Sequence, residues 1–304
     1  MTDTRHRVVD AHHHLWNPVS NGPDIGYVWL RDIGAAKPFG DPTPIQRDYL
    51  LDEFRAESQQ HTLIGSVHVQ ADGAIPDPVA ETQFVQRAAD ASGFPIAIVG
   101  FVNLSSSTAE STLDRHREHA GFRGIRQIVA HLPERPDISF SPRELLDDAG
   151  WRDRFGLLSE RSLSFDLQAY PEQMPRYAEF FAQHPEVPIA IDHCGCPWAQ
   201  DDAGLTRWRQ GIECLAELPQ VALKISGLGM YNRDWNRGNT ARVLDSLLDV
   251  FGPTRLMFGS NYPVDKLARP YDATLGDVVA LAREQSEAAV AAICQDTASA
   301  FYQL

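Results

Sequence analysis

The sequence predicts a single α/β domain spanning residues 1–304, a (β/α)8 barrel of the TIM type, and three observations carry that prediction. Short β-branched apolar runs alternate singly with helical stretches eight times, and single alternation implies a parallel sheet covered by helices. The 304 residues divide into roughly 38 per unit, a little generous, with the surplus in one early loop. Polar or ionisable side chains stand at the C-terminal end of every expected strand, where barrels of this class build their sites. An open doubly wound sheet is the alternative, but no G-x-G-x-x-G follows the first strand.

The first strand, 8–12, ends in Asp10-Ala11-His12-His13-His14. Alternation along a strand places Asp10, His12 and His14 on one face and Val9, Ala11 and His13 on the other. Imidazoles at i and i+2 stand roughly 6.7 Å apart, close enough to converge on one ion or substrate group. His13, on the opposite face, reads as structural. Residues 15–49 hold too many prolines and glycines for continuous secondary structure, and a loop this long in a compact domain is usually functional. Its aromatic knot Tyr27-Val28-Trp29-Leu30-Arg31 is expected to fold back over the histidines, and burial of Trp16, Tyr27 and Trp29 would equally anchor the loop.

Beyond the loop, helices are expected at 51–60, 78–91, 108–118, 141–160, 171–184, 203–218, 240–251 and over 273–302. Strands are expected at 63–70, 95–101, 122–128, 163–168, 188–193, 221–225 and 255–259. Ser141-Pro142-Arg143-Glu144 supplies a cap, a first-turn proline and an acid at N3, close to a capping box, for the helix at 141. No domain boundary or low-complexity linker interrupts the series.

Composition narrows the function classes. Hydrophobic content of 43% with 22% charged residues is ordinary for a soluble enzyme. A net charge of −14 argues against nucleic acid or an anionic membrane as partner, leaving a small molecule. Cys194, Cys196, Cys214 and Cys294 form no C-x-x-C pair, so reduced thiols and a cytoplasmic setting are expected. The start is polar and no apolar run is long enough to span a bilayer. A homo-oligomer is compatible with all of this.

The strand ends then give the chemistry. In chain order they offer His12 and His14, His68 and Gln70, Asn103, Arg126 and Gln127, and Asp166 and Gln168. Asp192 and His193, Lys224 and Ser226, and Ser260 and Asn261 complete the series. Each has a bland explanation in strand-end hydrogen bonding, but a barrel without chemistry would not need so regular a polar rim.

The segments Asp-Ala-His12-His13-His14-Leu-Trp, His68-Val-Gln70-Ala, Gly-Ile-Arg126-Gln127, Asp192-His193-Cys-Gly, Lys224-Ile-Ser226-Gly-Leu and Phe-Gly-Ser260-Asn261-Tyr-Pro263-Val-Asp265 occur in that order. Together they resemble the amidohydrolase superfamily, in its amidohydrolase-2 branch with sugar-lactone hydrolases such as L-fuconolactonase. The resemblance covers nearly the whole chain, with the first and last segments the most specific. It implies a barrel that hydrolyses a small cyclic ester. Relatives in the branch decarboxylate unsaturated or aromatic acids, so a decarboxylase is an alternative. An amide or ester hydrolase of a larger metabolite and an inactive small-molecule-binding barrel are two more.

Metal-binding members of the superfamily carry H-x-H on strand 1, histidines on strands 5 and 6, and an aspartate ending strand 8. Here the resemblance implies His12, His14 and His193 as ligands of one divalent ion, zinc first, with no organic cofactor. Strand 5 has Asp166 and Gln168 in place of a histidine, and Asn261 stands where the aspartate is expected. Asparagine offers a neutral oxygen to a metal but cannot take a proton from water. Lactone opening needs a base, oxyanion stabilisation and a proton for the alkoxide. Asp166 and His193 are the expected bases, His68 a proton donor, and Lys224 and Arg126 the charges for the oxyanion. Trp16, Trp29, Gln70, Arg126, Gln127 and Asn261 are expected to bind substrate, with Asp265 a weaker alternative base.

Overall fold

The computed structural model describes residues 5–20, 25–35 and 37–304, so positions 21–24 and 36 of the early loop lie outside the described residues. Eight parallel strands run in the order β1-β2-β3-β4-β5-β6-β7-β8. They are β1 Arg7–His13, β2 Thr62–Val69, β3 Ile96–Gly100, β4 Phe122–Arg126, β5 Ser164–Leu167, β6 Ile189–Ile191, β7 Val221–Ile225 and β8 Leu256–Phe258. Just past β8 the seam to β1 is stitched by Asn261 N donating to His12 O (2.7 Å) and His14 N donating to Tyr262 O (2.7 Å). The barrel is therefore nearly closed, as the alternation predicts.

The helices are α1 Val28–Arg31, α2 Leu51–Glu57, α3 Val79–Ser92, α4 Ala109–His116, α5 Ala149–Phe155, α6 Met174–Phe181, α7 Asp202–Ala216, α8 Arg237–Phe251, α9 Tyr271–Gln285, α10 Glu287–Ala291 and α11 Thr297–Tyr302. Two apolar layers follow from strand alternation. Outward residues such as Ile98, Ile125, Phe165 and Leu223 pack against the helices. Inward Val9, Ala11, Val67, Val69, Ala97, Val99, Ala190, Ala222 and Met257 fill the barrel, joined by Ala298 and Tyr302 of α11.

The helix expected over 141–160 breaks up. It becomes a loop, a 3-10 turn at Leu145–Asp147, the helix α5, and a second 3-10 turn at Ser159–Arg161. Ser141 does not cap; its hydroxyl donates to Arg143 O (2.6 Å). Instead the Glu144 and Asp148 carboxylates accept from Leu146 N (3.1 Å) and Trp151 N (3.2 Å). Each acid starts its own short turn, so one long helix cannot run through both.

Strand β1 departs from simple alternation. Between Asp10 and His13 it advances three residues while β2 advances two, from Ser66 to His68. The extra residue is a bulge, and it moves the alternation frame by one. Asp10 accordingly faces outward, accepting from Tyr271 Oη (3.0 Å) and from Ser260 N (2.9 Å), and does not share a face with His12 and His14. Ala11 packs in the interior cluster, while His13 stacks on Phe54 of α2 at 3.9 Å between ring centroids.

Candidate active site

Six side chains meet on the axis of the barrel beneath its C-terminal mouth. His12, after the bulge, turns inward and places Nδ1 3.1 Å from Asp192 Oδ1. Arg126 ends β4 and donates from Nη1 to Asp192 Oδ2 (3.2 Å) and from Nη2 to Gln70 O (2.6 Å). Lys224 of β7 lies 2.5 Å from Asp166 Oδ2 and 3.1 Å from Asp192 Oδ1. Tyr302, rising from the opposite end on α11, donates to Asp166 Oδ1 (2.9 Å). His12, Asp166, Asp192 and Lys224 have no solvent exposure. Two cations and two carboxylates so placed offset one another's charge, the arrangement a buried ionic cluster requires. Burial pushes Asp166 up, opposed by Lys224. Burial also works against the charged form of Asp192, but Lys224, His12 and Arg126 together hold it well below the ordinary carboxylate range.

Above this cluster lies a cavity of about 250 Å³. His14, Gln70, Arg126, Gln168, His193 and Asn261 form its polar floor, and Trp16, Trp29 and Phe39 of the early loop form an aromatic wall. The loop thus folds back over the histidines as its composition suggests. Trp29 Nε1 donates to Ala71 O (2.9 Å) and Trp16 Nε1 to Arg47 O (2.9 Å), which fixes both rings. Lys37 of the same loop also borders the cavity; nothing in the sequence pattern singles it out.

The orientation of each imidazole is set by a neighbour. His14 Nδ1 donates to Val69 O (2.7 Å), so its Nε2, 3.3 Å from Asn261 Oδ1, carries a lone pair. His193 Nδ1 lies 3.2 Å from Ser226 Oγ. Both His193 and Asn261 take left-handed backbone, φ 55° each, which is uncommon outside glycine and clusters at functional sites. His193 is admitted by Gly227, where a Cβ would lie 2.5 Å from its Nδ1. Burial drives all three rings to the neutral form; His193 is pushed down to about 3, and His12 and His14 well below their ordinary value.

These residues fit a divalent metal. One ligand atom each from His12, Asp192 and His193 lie within 4.8 Å of one another. At His14 two lone pairs, Nε2 and the Asn261 oxygen, face each other across 3.3 Å, an arrangement that a cation satisfies. The Asn261 amide is oriented by its Nδ2, which donates to Asp265 Oδ1 (2.9 Å). Asp265 lies behind it, off the cavity wall, and burial raises its carboxyl to about 7.

Other expected site residues fall elsewhere. His68 faces outward behind β2, contrary to the expectation that it stands at the mouth. Its Nδ1 accepts from Leu15 N (3.1 Å) and its Nε2 lies 3.4 Å from Glu81 Oε1 of α3. The reason is parity, since Val67 and Val69 on either side point inward. Gln127 lies outside this cavity, where its Oε1 accepts from Leu104 N (3.1 Å) and Trp151 Nε1 (2.9 Å). Asp166 and Lys224 are beneath the floor and not on it. Asp192, named in the sequence only as a strand end, is the centre of the ionic cluster. Tyr302 carries no signal at all, because only the closed barrel brings the chain's end under Asp166.

The family model for amidohydrolases matches residues 9–304. The chain belongs to the amidohydrolase family. It is 32% identical over 275 residues to an L-fucono-1,5-lactonase of Burkholderia multivorans, covering 87% of this chain and 84% of that protein. It is 34% identical over 297 residues to the uncharacterized protein y4mH of Sinorhizobium fredii, with 98% of each covered. Among solved structures, an amidohydrolase from Burkholderia multivorans with bound zinc superimposes with a TM-score of 0.80 at 30% identity, covering 98% of this chain and 99% of that one. This amidohydrolase is a hydrolase acting on small molecules, and among its described residues no helix is long and apolar enough to cross a membrane.

Proposed function

We propose that this amidohydrolase opens a small cyclic ester, a sugar lactone or a lactone of that size, by attack of water on the acyl carbon. The observation that carries this reading is the cavity, where neutral imidazoles and amides converge with one fixed cation, Arg126, under an aromatic wall. Amides suit a polyhydroxylated ring, and the cation suits a carbonyl oxygen that becomes negative. Similarity to the Burkholderia L-fucono-1,5-lactonase supports the substrate class.

His193 takes the proton of the attacking water. Its ring is neutral, and the adjoining Asp192 carboxylate favours the imidazolium as it forms. The same proton then passes to the leaving ring oxygen, so that water adds across the acyl C–O bond and a hydroxy acid results. Arg126, held by Asp192 and Gln70 O, stabilises the oxyanion. Gln70, Gln168 and Asn261 bind hydroxyls, and Trp16 and Trp29 keep bulk water out. Gln127 and Asn103, joined through Gln127 Nε2 (3.1 Å), lie outside this cavity and take no part in opening the ester. Asp166 acts through Lys224, fixing the ammonium that keeps Asp192 ionised. His68 ties β2 to the early loop. His12 and His14, with the Asn261 oxygen, are the residues that would hold a divalent ion while the free nitrogen of His193 is kept for the proton. When bound, such an ion lowers the pKa of water and polarises a carbonyl.

The test is a panel of aldono-1,5-lactones, L-fucono-1,5-lactone included, followed by acid release at neutral pH above the spontaneous rate. Wild type should turn over at least one member, and His193→Gln should lose about 10²-fold or more in kcat. Wild-type release no faster than the uncatalysed rate for every lactone would overturn the reading.

A further inference from the structure

Beside the mouth lies a second cavity, of about 450 Å³, which shares Gln70, Asp72, Gly73, Ile128 and Phe140 with the first. The first cavity alone falls just below the roughly 300–1,000 Å³ usual for small-molecule sites, room for one ring. Gln70 is the side chain common to both floors. It is 2% exposed, and its Oε1 has no hydrogen-bond partner in the protein. A buried amide oxygen left unpaired is costly, which points to a ligand hydroxyl that satisfies it.

The rest of the lining narrows the chemistry. Phe101 and Phe140 give aromatic surface; Asn103, Gln127 and Ser141 give amides and a hydroxyl. The charged side chains in the lining are both engaged. Arg143 is paired with Asp148 at 2.6 Å, and the two oxygens of Asp72 accept from Ala74 N (2.8 Å) and Val28 N (2.9 Å). An anion therefore meets no free cation here, and a wholly apolar group would leave the amides unpaired. A neutral ring with hydroxyls on its edge and C–H groups on its face matches both kinds of surface.

We propose that this second cavity is a subsite for a neutral polyhydroxylated ring attached to the lactone, so that the preferred substrate is a glycosylated, disaccharide-sized lactone. The inference rests on the lactone reading above. Hydrolysis opens only the lactone ester in the first cavity, and the glycosidic bond to the second ring stays intact. Binding energy from the remote ring raises kcat/KM at the reacting ester.

The experiment compares glucono-1,5-lactone with cellobiono-, lactobiono- and melibionolactone on wild type and on Ala74→Trp and Asn103→Trp. Both variants place bulk at exposed positions of the second cavity. At least one disaccharide lactone should exceed the monosaccharide by about tenfold in kcat/KM, and either variant should abolish that preference while leaving glucono-1,5-lactone unchanged. Equal rates for both sizes, or a preference that neither variant reduces, would overturn the subsite. Calorimetric titration with the disaccharide aldonic acids separates this outcome from failure of the lactone reading. If no lactone is hydrolysed, binding of an aldonate that Ala74→Trp weakens still supports the subsite, and absence of such binding overturns it.

Discussion

Lys224 shows how one residue's surroundings decide its work. It meets two carboxylates, all three side chains fully buried, so removing either partner leaves a buried charge uncompensated. Asp166→Asn keeps the shape of that contact and the Tyr302 bond but removes the charge. Its expected result is a fall in kcat of roughly 10²-fold with KM changed by less than about threefold, because Asp166 does not border the cavity. Steady-state kinetics on the best lactone would reveal a contrary KM effect, which would place Asp166 against substrate. Asn261 is the complementary case. Asn261→Asp would set a carboxylate 3.3 Å from His14 Nε2 and supply the anionic ligand otherwise lacking on strand 8. Zinc affinity by calorimetry should rise by about tenfold or more, since a charged oxygen replaces a neutral one.

Between elements, the chain just past β8 fits closely against β1. A Cβ on Gly259 would lie 2.6 Å from His12 Cβ and 3.0 Å from His12 N. Neither atom is the free end of a flexible side chain, so the strands themselves would have to part. Gly259→Ala should cost about 1–3 kcal/mol, the scale of overpacking in a dense core, and the shift in denaturant midpoint measures it. Because the same seam holds His12 and Asn261, activity should fall along with stability. The early loop, by contrast, is secured by its own Trp16 and Trp29 indole hydrogen bonds, so its placement does not depend on that seam.

For the molecule as a whole, acid stability should reflect histidines held neutral by burial. His116 of α4 lines neither cavity and serves as the probe. Its Nε2 donates to Phe101 O (3.1 Å), and its Nδ1 accepts from Thr82 Oγ1 (2.9 Å). Burial lowers it from 6.5 to about 4. The unfolded chain therefore takes up this proton first as the pH falls, so stability present above 6.5 is lost between 6.5 and 4. At pH 5 the loss from this residue should be about 2 kcal/mol. Urea denaturation from pH 7 to 4.5 should show a shallower slope for His116→Asn than for wild type, and parallel slopes would mean that His116 already protonates freely in the folded state.

The sequence by itself determined the eightfold alternation, the parallel sheet and the polar rim, because these depend on period and on the chemistry of strand ends, which are local. It also led to His14, Arg126, His193 and Asn261, which line the cavity although their strands end a residue or two away from where the pattern puts them. What only the tertiary structure decided depends on parity and on closure. One bulged residue in β1 sends Asp10 outward and brings His12 inward. One step along β2 puts His68 behind the sheet, where Glu81 and the Leu15 amide meet it. The acids at 144 and 148 divide a predicted helix into separate turns. Tyr302 reaches Asp166 across 136 residues only because the barrel has closed over the space between them. Side-chain period is fixed residue by residue, but which face is the inside of a barrel is settled when the last strand meets the first.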